Sequence, residues 1–285
     1  MHILKGYTKQ EISWMMYDWA NSAHSVIIVT LLPIFFDTVA GYTADSVSSM
    51  STWGYATSIA MLIVALAAPF LGVFGDIRGM RKKLFSFFML LGVAACAGMA
   101  FTPGMDFTSG PVAAGKVASL ILVLYIVSVI GFDASAIYYD AFLTDVTTEE
   151  RMDKVSTMGY GLGYIGGSTI PLLIFLIMNL VGVPMLTCLA FVFGLTAVWW
   201  LAFSLPLLKN CEQTSGKPYE KGDVARSMKG VGTTIKEIIA NKPMLIYILS
   251  YFFYIDGVHT VISMATTYGT NLGLDSTGMM LASLL

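Results

Sequence analysis

Long apolar stretches recur along the whole sequence, and each is long enough to cross a lipid bilayer as a helix. The hydrocarbon core of a bilayer is about 30 Å thick, which takes about 20 helical residues to cross. Because a backbone with unpaired polar groups is not stable in lipid, these stretches are predicted to be helices. We predict six complete spans, a seventh, and the beginning of an eighth, at residues 12–36, 51–74, 84–101, 117–141, 156–181, 184–208, 243–268 and from 276 onward.

The composition supports a membrane protein and excludes other classes. Of the 285 residues, 56% are apolar and 12% are charged, whereas soluble domains have about 45–50% apolar and about 25% charged residues. The mean hydropathy of +0.74 means that most of the surface faces lipid. A net charge of −2 excludes a strongly basic nucleic-acid-binding protein. The three cysteines lack metal-ligand or disulfide spacing, so we expect no metal and no cofactor.

The basic residues predict how the spans are oriented. Fifteen of the sixteen Lys and Arg residues lie at the N-terminus or in the connections that follow spans two, four and six, and the exception is Lys116. Loops rich in Lys and Arg stay on the cytosolic side of a membrane. We therefore predict a multi-pass membrane protein with its N-terminus in the cytosol.

The sequence divides into three regions. Residues 1–208 are predicted to form an N-terminal six-helix transmembrane bundle, and residues 243–285 the start of a C-terminal bundle. Residues 209–242 between them are polar, contain Gly and Pro, and form the predicted cytoplasmic linker. Five apolar residues in the linker have helical spacing, which favours either a helix on the membrane surface or a linker with some helicity. These residues are Val224, Met228, Val231, Ile235 and Ile238.

Spans one and seven share a polar pattern that indicates an internal repeat. The first contains WANSAHSVII and the seventh contains YIDGVHTVI. Superposing His24 on His259 aligns Asn21 with Asp256 and places aromatic residues at corresponding positions. Six spans, a long connection and a recurrence of span one are typical of transporters built from two parallel six-helix halves. The sequence ends within the eighth predicted span, so we expect it to be a fragment of a longer transporter.

The connection between spans two and three, GVFGDIRGMRKK, resembles the signature loop of the major facilitator superfamily. In that loop a glycine is followed four positions later by an acid, and then by a glycine and a basic cluster; here Ile77 stands where a basic residue is common. We expect a conformational switch that latches the two halves in one state, unless the basic residues act only as a topology signal. The residues on the pattern are Gly72, Asp76, Gly79, Arg81 and Lys82.

Three further segments resemble the vacuole-effluxer branch of this superfamily. They are YDWANSA at residues 17–23, YYDAFLTDVTTEERMDKVSTMGYGLGYIGG at residues 138–167, and YFFYIDGVHTVI at residues 251–262. The resemblance implies an all-α membrane protein with a twelve-helix major facilitator fold, a central cavity and alternating access. This chain would hold the complete N-terminal six-helix bundle and the start of the second. Fungal members are implicated in releasing amino acids from the vacuole, and for this chain we expect a bacterial cytoplasmic membrane.

Polar residues at membrane depth are the candidate substrate-binding residues. An ionisable group inside a bilayer is costly and usually faces a cavity or a partner. The alternative is a purely structural hydrogen bond within the bundle. The candidates are Asn21, His24, Asp133, Asp256 and His259.

Glycines recur every four residues in the fifth span, at Gly159, Gly163 and Gly167. Such a stripe of small residues lets two membrane helices approach closely. A glycine-rich fifth helix is also associated with antiporters of this superfamily, although the usual glycine–proline pair is absent here. The pattern therefore predicts close helix packing or, alternatively, a coupling signature.

The sequence favours a secondary transporter that moves a small polar solute, with amino acids as one candidate. Protons or another ion are the expected energy source, because the sequence contains no P-loop pattern for ATP. One alternative is a truncated membrane fragment without transport activity. A second alternative, an intramembrane enzyme, is not expected, since the sequence contains neither HExxH nor GxSxG.

The predicted orientation can be tested by cysteine accessibility in intact cells. We expect single cysteines placed in residues 209–242 to resist an impermeant external maleimide, and cysteines in residues 102–116 to react, because the basic residues concentrate in the first region. External labelling of residues 209–242 would contradict the whole arrangement.

Overall fold

The computed structural model describes residues 4–43, 48–218, 222–274 and 278, and for residues 223–228, 263, 270 and 271 it describes the backbone alone. Within these residues the chain is almost entirely helical, and its β-structure is a single bridge between Ile77 and Lys217. The α-helices are α1 Lys9–Thr30, α2 Leu32–Ala40, α3 Ser49–Gly75, α4 Arg81–Met99, α5 Pro111–Val146, α6 Met152–Leu162, α7 Thr169–Leu180, α8 Met185–Asn210, α9 Asp223–Ala240 and α10 Lys242–Asn271.

Seven helical stretches in the described residues are long and apolar enough to cross a membrane. They coincide with the first seven predicted spans, which confirms those spans and the all-α membrane fold class. The predicted eighth span, from Ser276, lies outside the described residues apart from Gly278. The seven stretches are Lys9–Ala40, Ser49–Gly75, Arg81–Gly104, Pro111–Val146, Glu149–Leu180, Met185–Asn210 and Lys242–Ile262.

The fourth span differs most from its prediction. Helix α5 contains 36 residues and extends beyond the predicted limits of 117–141 at both ends. Pro111 begins it, at a position where a missing N–H costs nothing. The last turn reaches Val146, and Thr147 is already extended. The prediction was too short because the helix continues through polar residues that lie beyond the apolar stretch.

The glycine stripe of the fifth span packs directly against α1. A Cβ atom on Gly163 would lie 2.6 Å from Ser22 Oγ, and one on Gly167 would lie 2.5 Å from the carbonyl oxygen of Trp19. Between α6 and α7 the span forms a π-helical segment, Gly163–Ser168, where a Cβ on Gly166 would collide with the Trp19 indole. The prediction of close helix packing is confirmed.

Helix α1 packs against α5, α6, α7 and α8. Aromatic side chains of α4 and α5 also contact it. The Trp14 and Tyr139 rings stack at 4.3 Å, and Tyr17 meets Phe85 edge to face at 4.8 Å. These rings belong to one apolar cluster of the bundle.

A second apolar cluster contains the later part of α1. Its large members include Ile27, Phe35, Trp53, Ile121 and Phe193. The two clusters together fix α1 within the bundle.

The linker contains a helix, α9, as the spacing of its apolar residues predicted. Val231 and Ile238 are half-buried, whereas Ile235 is exposed. The side chains of Val224 and Met228 lie outside the described residues. The placement of α9 on a membrane surface stays a prediction, as do the limits of the three predicted regions.

Helix α10 exposes most of its described apolar side chains, and α3 exposes many. Leu66 on α3 and Phe253 on α10 are examples. The two helices meet where Met264 Cε lies 3.7 Å from the position of a Cβ on Gly54. Their exposed apolar faces suit lipid or further membrane helices.

Gly131 provides a test of the α4–α5 packing. A Cβ at this position would lie 2.5 Å from the backbone nitrogen of Gly92 and 2.8 Å from the carbonyl oxygen of Phe88. We expect Gly131→Ala to destabilise the protein by about 1–3 kcal/mol, because the backbones must move apart. Thermal unfolding in detergent measures the effect. Gly115→Ala is the matched control on α5, where a Cβ would meet no atom within 4 Å, and equal unfolding temperatures for the two variants would contradict the expectation.

Candidate functional site

One face of α1 carries Tyr17, Asn21 and His24, which are all buried. These residues are separated by four and three positions, so they lie on neighbouring turns of the same helical face. Asn21 and His24 therefore lie on one face of α1. This face meets α5 and α8.

His24 lies in an aromatic enclosure inside the bundle. Its ring stacks on Phe132 of α5 at 4.8 Å and lies 5.0 Å from the Trp200 ring of α8. Neither imidazole nitrogen has a hydrogen-bond partner in the described part of the chain. A buried polar group without a partner is costly. The imidazole is therefore more than apolar filler, because a phenyl ring would occupy the same enclosure without that cost.

Tyr17 and Ser135 connect α1 to α5 beside this enclosure. Their hydroxyl oxygens are 2.8 Å apart, and Trp200 Nε1 donates to Tyr17 Oη at 3.4 Å. Nearby, Tyr139 Oη donates to Asp18 Oδ2 at 2.8 Å. The sequence did not predict these contacts. Tyr17 and Asp18 both lie in the YDWANSA segment, and that position was the one feature of the sequence that pointed to them.

Asp133 lies in the middle of α5, next to Phe132, and its side chain is partly buried. Its Oδ2 atom is buried and makes no hydrogen bond to the described residues. Successive residues of a helix point about 100° apart, so Asp133 does not share the direction in which Phe132 meets His24. His24 and Asp133 thus both have buried polar atoms with unused hydrogen-bonding capacity among the described residues.

Asp256 and His259 are exposed on α10. The ring nitrogens of His24 make no hydrogen bond to any described residue, so His24 is not hydrogen-bonded to Asp256 or His259. The substrate-binding role of the five candidates stays a prediction.

The signature loop joins α3 to α4. Helix α3 ends at Gly75, Asp76 follows as its C-cap, and α4 begins at Arg81. Gly79 has a φ of +81°, a left-handed conformation that glycine adopts without steric cost. Gly72 does not have a positive φ, and a Cβ there would meet nothing within 4 Å, so this position does not require glycine.

Arg81 is the buried residue of this loop, and its main partner is Asp145 at the end of α5. The guanidinium forms an ion pair with Asp145 and donates from Nη1 to the carbonyl oxygen of Ala141 at 3.0 Å. Asp76 is 84% exposed and lies 3.9 Å from Arg81. Nothing in the local sequence of Asp145 identifies Arg81 as its partner, so this pair was not predicted. Lys82 lies beside Arg81 and is partly buried.

A second ion pair ties the start of α1 to the turn before α6. Arg151 donates from Nε and Nη2 to the two carboxylate oxygens of Glu11, each at 2.8 Å. Thr147 Oγ1 donates to Glu11 Oε1 at 2.7 Å. Thr8 caps α1 and completes a capping box with Glu11. No sequence motif identifies this contact, because its partners lie far apart along the chain.

These contacts gather four segments at one end of the bundle, which we call the basic end: the start of α1, the α3–α4 loop, the α5–α6 turn and the end of α8. Asn210 at the end of α8 donates from Nδ2 to Ser13 Oγ at 2.9 Å. The predicted alternation of the first six spans is therefore confirmed. Alternating spans with the signature loop after the second define an all-helical, multi-pass membrane protein of the major facilitator type.

Comparison with known proteins gives the family. The family model described as "Vacuole effluxer Atg22 like" matches residues 41–285. The chain belongs to this family, which confirms the resemblance seen in the sequence.

Similar proteins occur in bacteria and fungi. An uncharacterized MFS-type transporter, YxiO, of Bacillus subtilis (strain 168) is 39% identical over 287 residues, which cover 98% of this chain and 64% of the relative. Autophagy-related proteins 22-1 of Sclerotinia sclerotiorum and Penicillium rubens are each 26% identical, over 46% and 40% of this chain and 25% and 21% of their own lengths. The chain thus spans less than two thirds of the length of these relatives.

The two acids near Arg81 should differ sharply in their effect on stability. We expect Asp145→Asn to lower the free energy of unfolding by about 3 kcal/mol, because it leaves a buried guanidinium without its counter-charge. Asp76→Asn is the control, and it should change stability by less than about 1 kcal/mol because Asp76 is exposed. Thermal unfolding of both variants measures this. A larger effect of Asp76→Asn would contradict the assignment.

Proposed function

We propose that this chain forms part of a major facilitator transporter that moves a small polar solute, with amino acids as the substrate class, by alternating access. The observation that carries the proposal is membership of the vacuole effluxer family, matched over residues 41–285. The name of the Bacillus relative, an MFS-type transporter, supports the same class and argues against an enzyme.

The proposed substrate site consists of Asn21, His24, Asp133, Asp256 and His259. Support comes from His24 and Asp133, whose buried polar atoms lack hydrogen-bond partners among the described residues. Such atoms retain capacity for a solute or a water molecule once the helices rearrange. A carboxylate suits the ammonium group of an amino acid, and an imidazole or amide can donate to its carboxylate.

The proposed switch is the loop that contains Gly72, Asp76, Gly79, Arg81 and Lys82. Its support is the buried Arg81–Asp145 pair, which fixes the loop against the end of α5. A charged contact of this kind can hold one conformational state until the loop moves.

The membrane arrangement completes the proposal. The basic end faces the cytosol of a bacterial cell, residues 1–208 form the first bundle, residues 209–242 the linker, and residues 243–285 the start of the second bundle. Protons or another ion supply the energy. The concentration of Lys and Arg at the basic end supports this orientation.

The site is tested by transport assays on the full-length protein in proteoliposomes with labelled amino acids. We expect Asp256→Asn and His24→Phe to lower uptake about tenfold or more at unchanged abundance, since each removes a polar contact to the solute. His24→Phe keeps an aromatic ring against Phe132 and so spares the packing. Asp153→Asn, an exposed acid on α6, is the control.

Two outcomes would contradict the proposal. Unchanged uptake in both variants would remove the substrate-site assignment. Absence of uptake of every amino acid by the unaltered full-length protein would favour another substrate, whereas uptake by that protein and not by this chain alone would favour the transport-inactive fragment.

A further inference from the structure

Helix α8 is followed by a short extended segment, Cys211–Lys217, that lies across the signature loop at the basic end. We call this segment the strap. Cys211 is fully buried, and its Sγ atom donates to the carbonyl oxygen of Gln10 at 3.6 Å. The strap is therefore anchored to α1 before it reaches the loop.

Gln213 joins both helix ends of the loop through its side-chain amide. Its Oε1 atom accepts hydrogen bonds from the backbone N–H groups of Gly79 at 2.8 Å and Arg81 at 3.2 Å. Its Nε2 atom donates to the carbonyl oxygen of Gly75, at the end of α3, at 3.0 Å. The N-cap residue of α4, Met80, provides no side-chain cap. Gln213 thus satisfies helix-end groups that a local cap would otherwise satisfy.

Asp145 links the strap to Arg81. Its Oδ1 atom accepts from the backbone N–H groups of Thr214 at 3.1 Å and Ser215 at 2.9 Å, while its Oδ2 atom pairs with Arg81. Ser215 Oγ also accepts from Arg81 Nη1 at 3.1 Å. One carboxylate therefore holds the strap and the loop together.

The backbones of the strap and the loop form a parallel bridge. Arg78 N donates to the Lys217 carbonyl oxygen at 3.0 Å, and Lys217 N donates to the Asp76 carbonyl oxygen at 3.2 Å. Gly216 has a φ of +108°, and a Cβ there would lie 2.7 Å from the Asp76 carbonyl oxygen. The position therefore requires glycine on both conformational and steric grounds.

We propose that Gln213 is a positioning residue for the signature loop, and that the docked strap holds the loop in the conformation seen here. The chain that leaves the strap continues through α9 to α10, so a displacement of α10 relative to the bundle can undock the strap and free the loop. The inference rests on the proposed function for the role of the loop in transport. The strap–loop contacts themselves do not depend on it.

Hydrogen exchange tests the proposal in the full-length protein in detergent. We expect Gln213→Ala to speed exchange of the Gly79 and Arg81 amides about tenfold or more, because both lose their acceptor. Gly216→Ala should do the same by preventing docking. Glu212→Ala, an exposed neighbour in the strap, is the matched control and should leave exchange unchanged.

The natural thiol of Cys211 gives a second measurement. Burial raises the pKa of the Cys211 thiol to about 12, which keeps it unreactive while the strap is docked. We expect both strap variants to increase its alkylation by N-ethylmaleimide, with the modified site identified by peptide mass. Cys96 and Cys188 are buried in the bundle and should remain unmodified.

A disulfide distinguishes specific undocking from general loosening. Cysteines at Ile77 and Lys217, the bridged pair, should cross-link and restore the protection of Cys211 from alkylation in Gln213→Ala, although the Gly79 and Arg81 amides still lack their acceptor. Unchanged exchange in both strap variants, equal acceleration in Glu212→Ala, or a failure of the cross-link to restore the protection of Cys211 would each overturn the proposal. If Gly216→Ala does not fold, Gln213→Ala and the cross-link decide the question.

Transport measurements separate this proposal from the proposed function. Faster loop exchange together with an altered transport rate supports the strap as a positioning element of the transporter. Faster exchange with unaltered transport overturns the role of the loop in transport, but it leaves the strap as the element that positions the loop. Unaltered exchange in a protein that transports amino acids overturns the strap alone.

Discussion

The buried ion pair between Arg81 and Asp145 is the contact on which the basic end of the bundle depends. Two charges removed from water are stable only when nearly all of their hydrogen-bonding groups are satisfied. Asp145 meets this demand with two backbone N–H groups and a hydroxyl of the strap. Arg81 meets it in part: Nη1 donates to a carbonyl oxygen of α5 and to Ser215 Oγ, whereas the buried Nε has no hydrogen-bond partner among the described residues. Three separate segments are therefore held in register by one pair of side chains.

The spans were predictable because lipid imposes a simple rule on sequence: about 20 apolar residues for each crossing. The glycine stripe was predictable for a related reason, since close helix contact requires small residues at regular spacing. The ends of the helices follow no such rule. Helix α5 continues through Lys116 and Asp140, which interrupt or flank the apolar stretch but do not end the helix.

The partners of the charged residues could not be predicted in the same way. Glu11 and Arg151 are 140 positions apart, and nothing in either local sequence identifies the other. The partners of Asp145 are Arg81 and a segment without regular structure, and nothing in the local sequence identifies them. For His24, the sequence indicated depth in the membrane, but only the packing of Phe132 and Trp200 shows which neighbours enclose it. Its relation to Asp256 and His259 stays a prediction.

The π-helical segment Gly163–Ser168 has a consequence for how the fifth span can respond to movement of α1. A wide turn of this kind holds one more residue than an α-helical turn, and the surplus can pass along the helix by exchange of one hydrogen bond at a time. Each step reorients only the residue that it passes. Here three of the six residues are glycines, which sweep little volume against Trp19 and Ser22. A change of register in the fifth span would therefore meet the least steric resistance where the span touches α1.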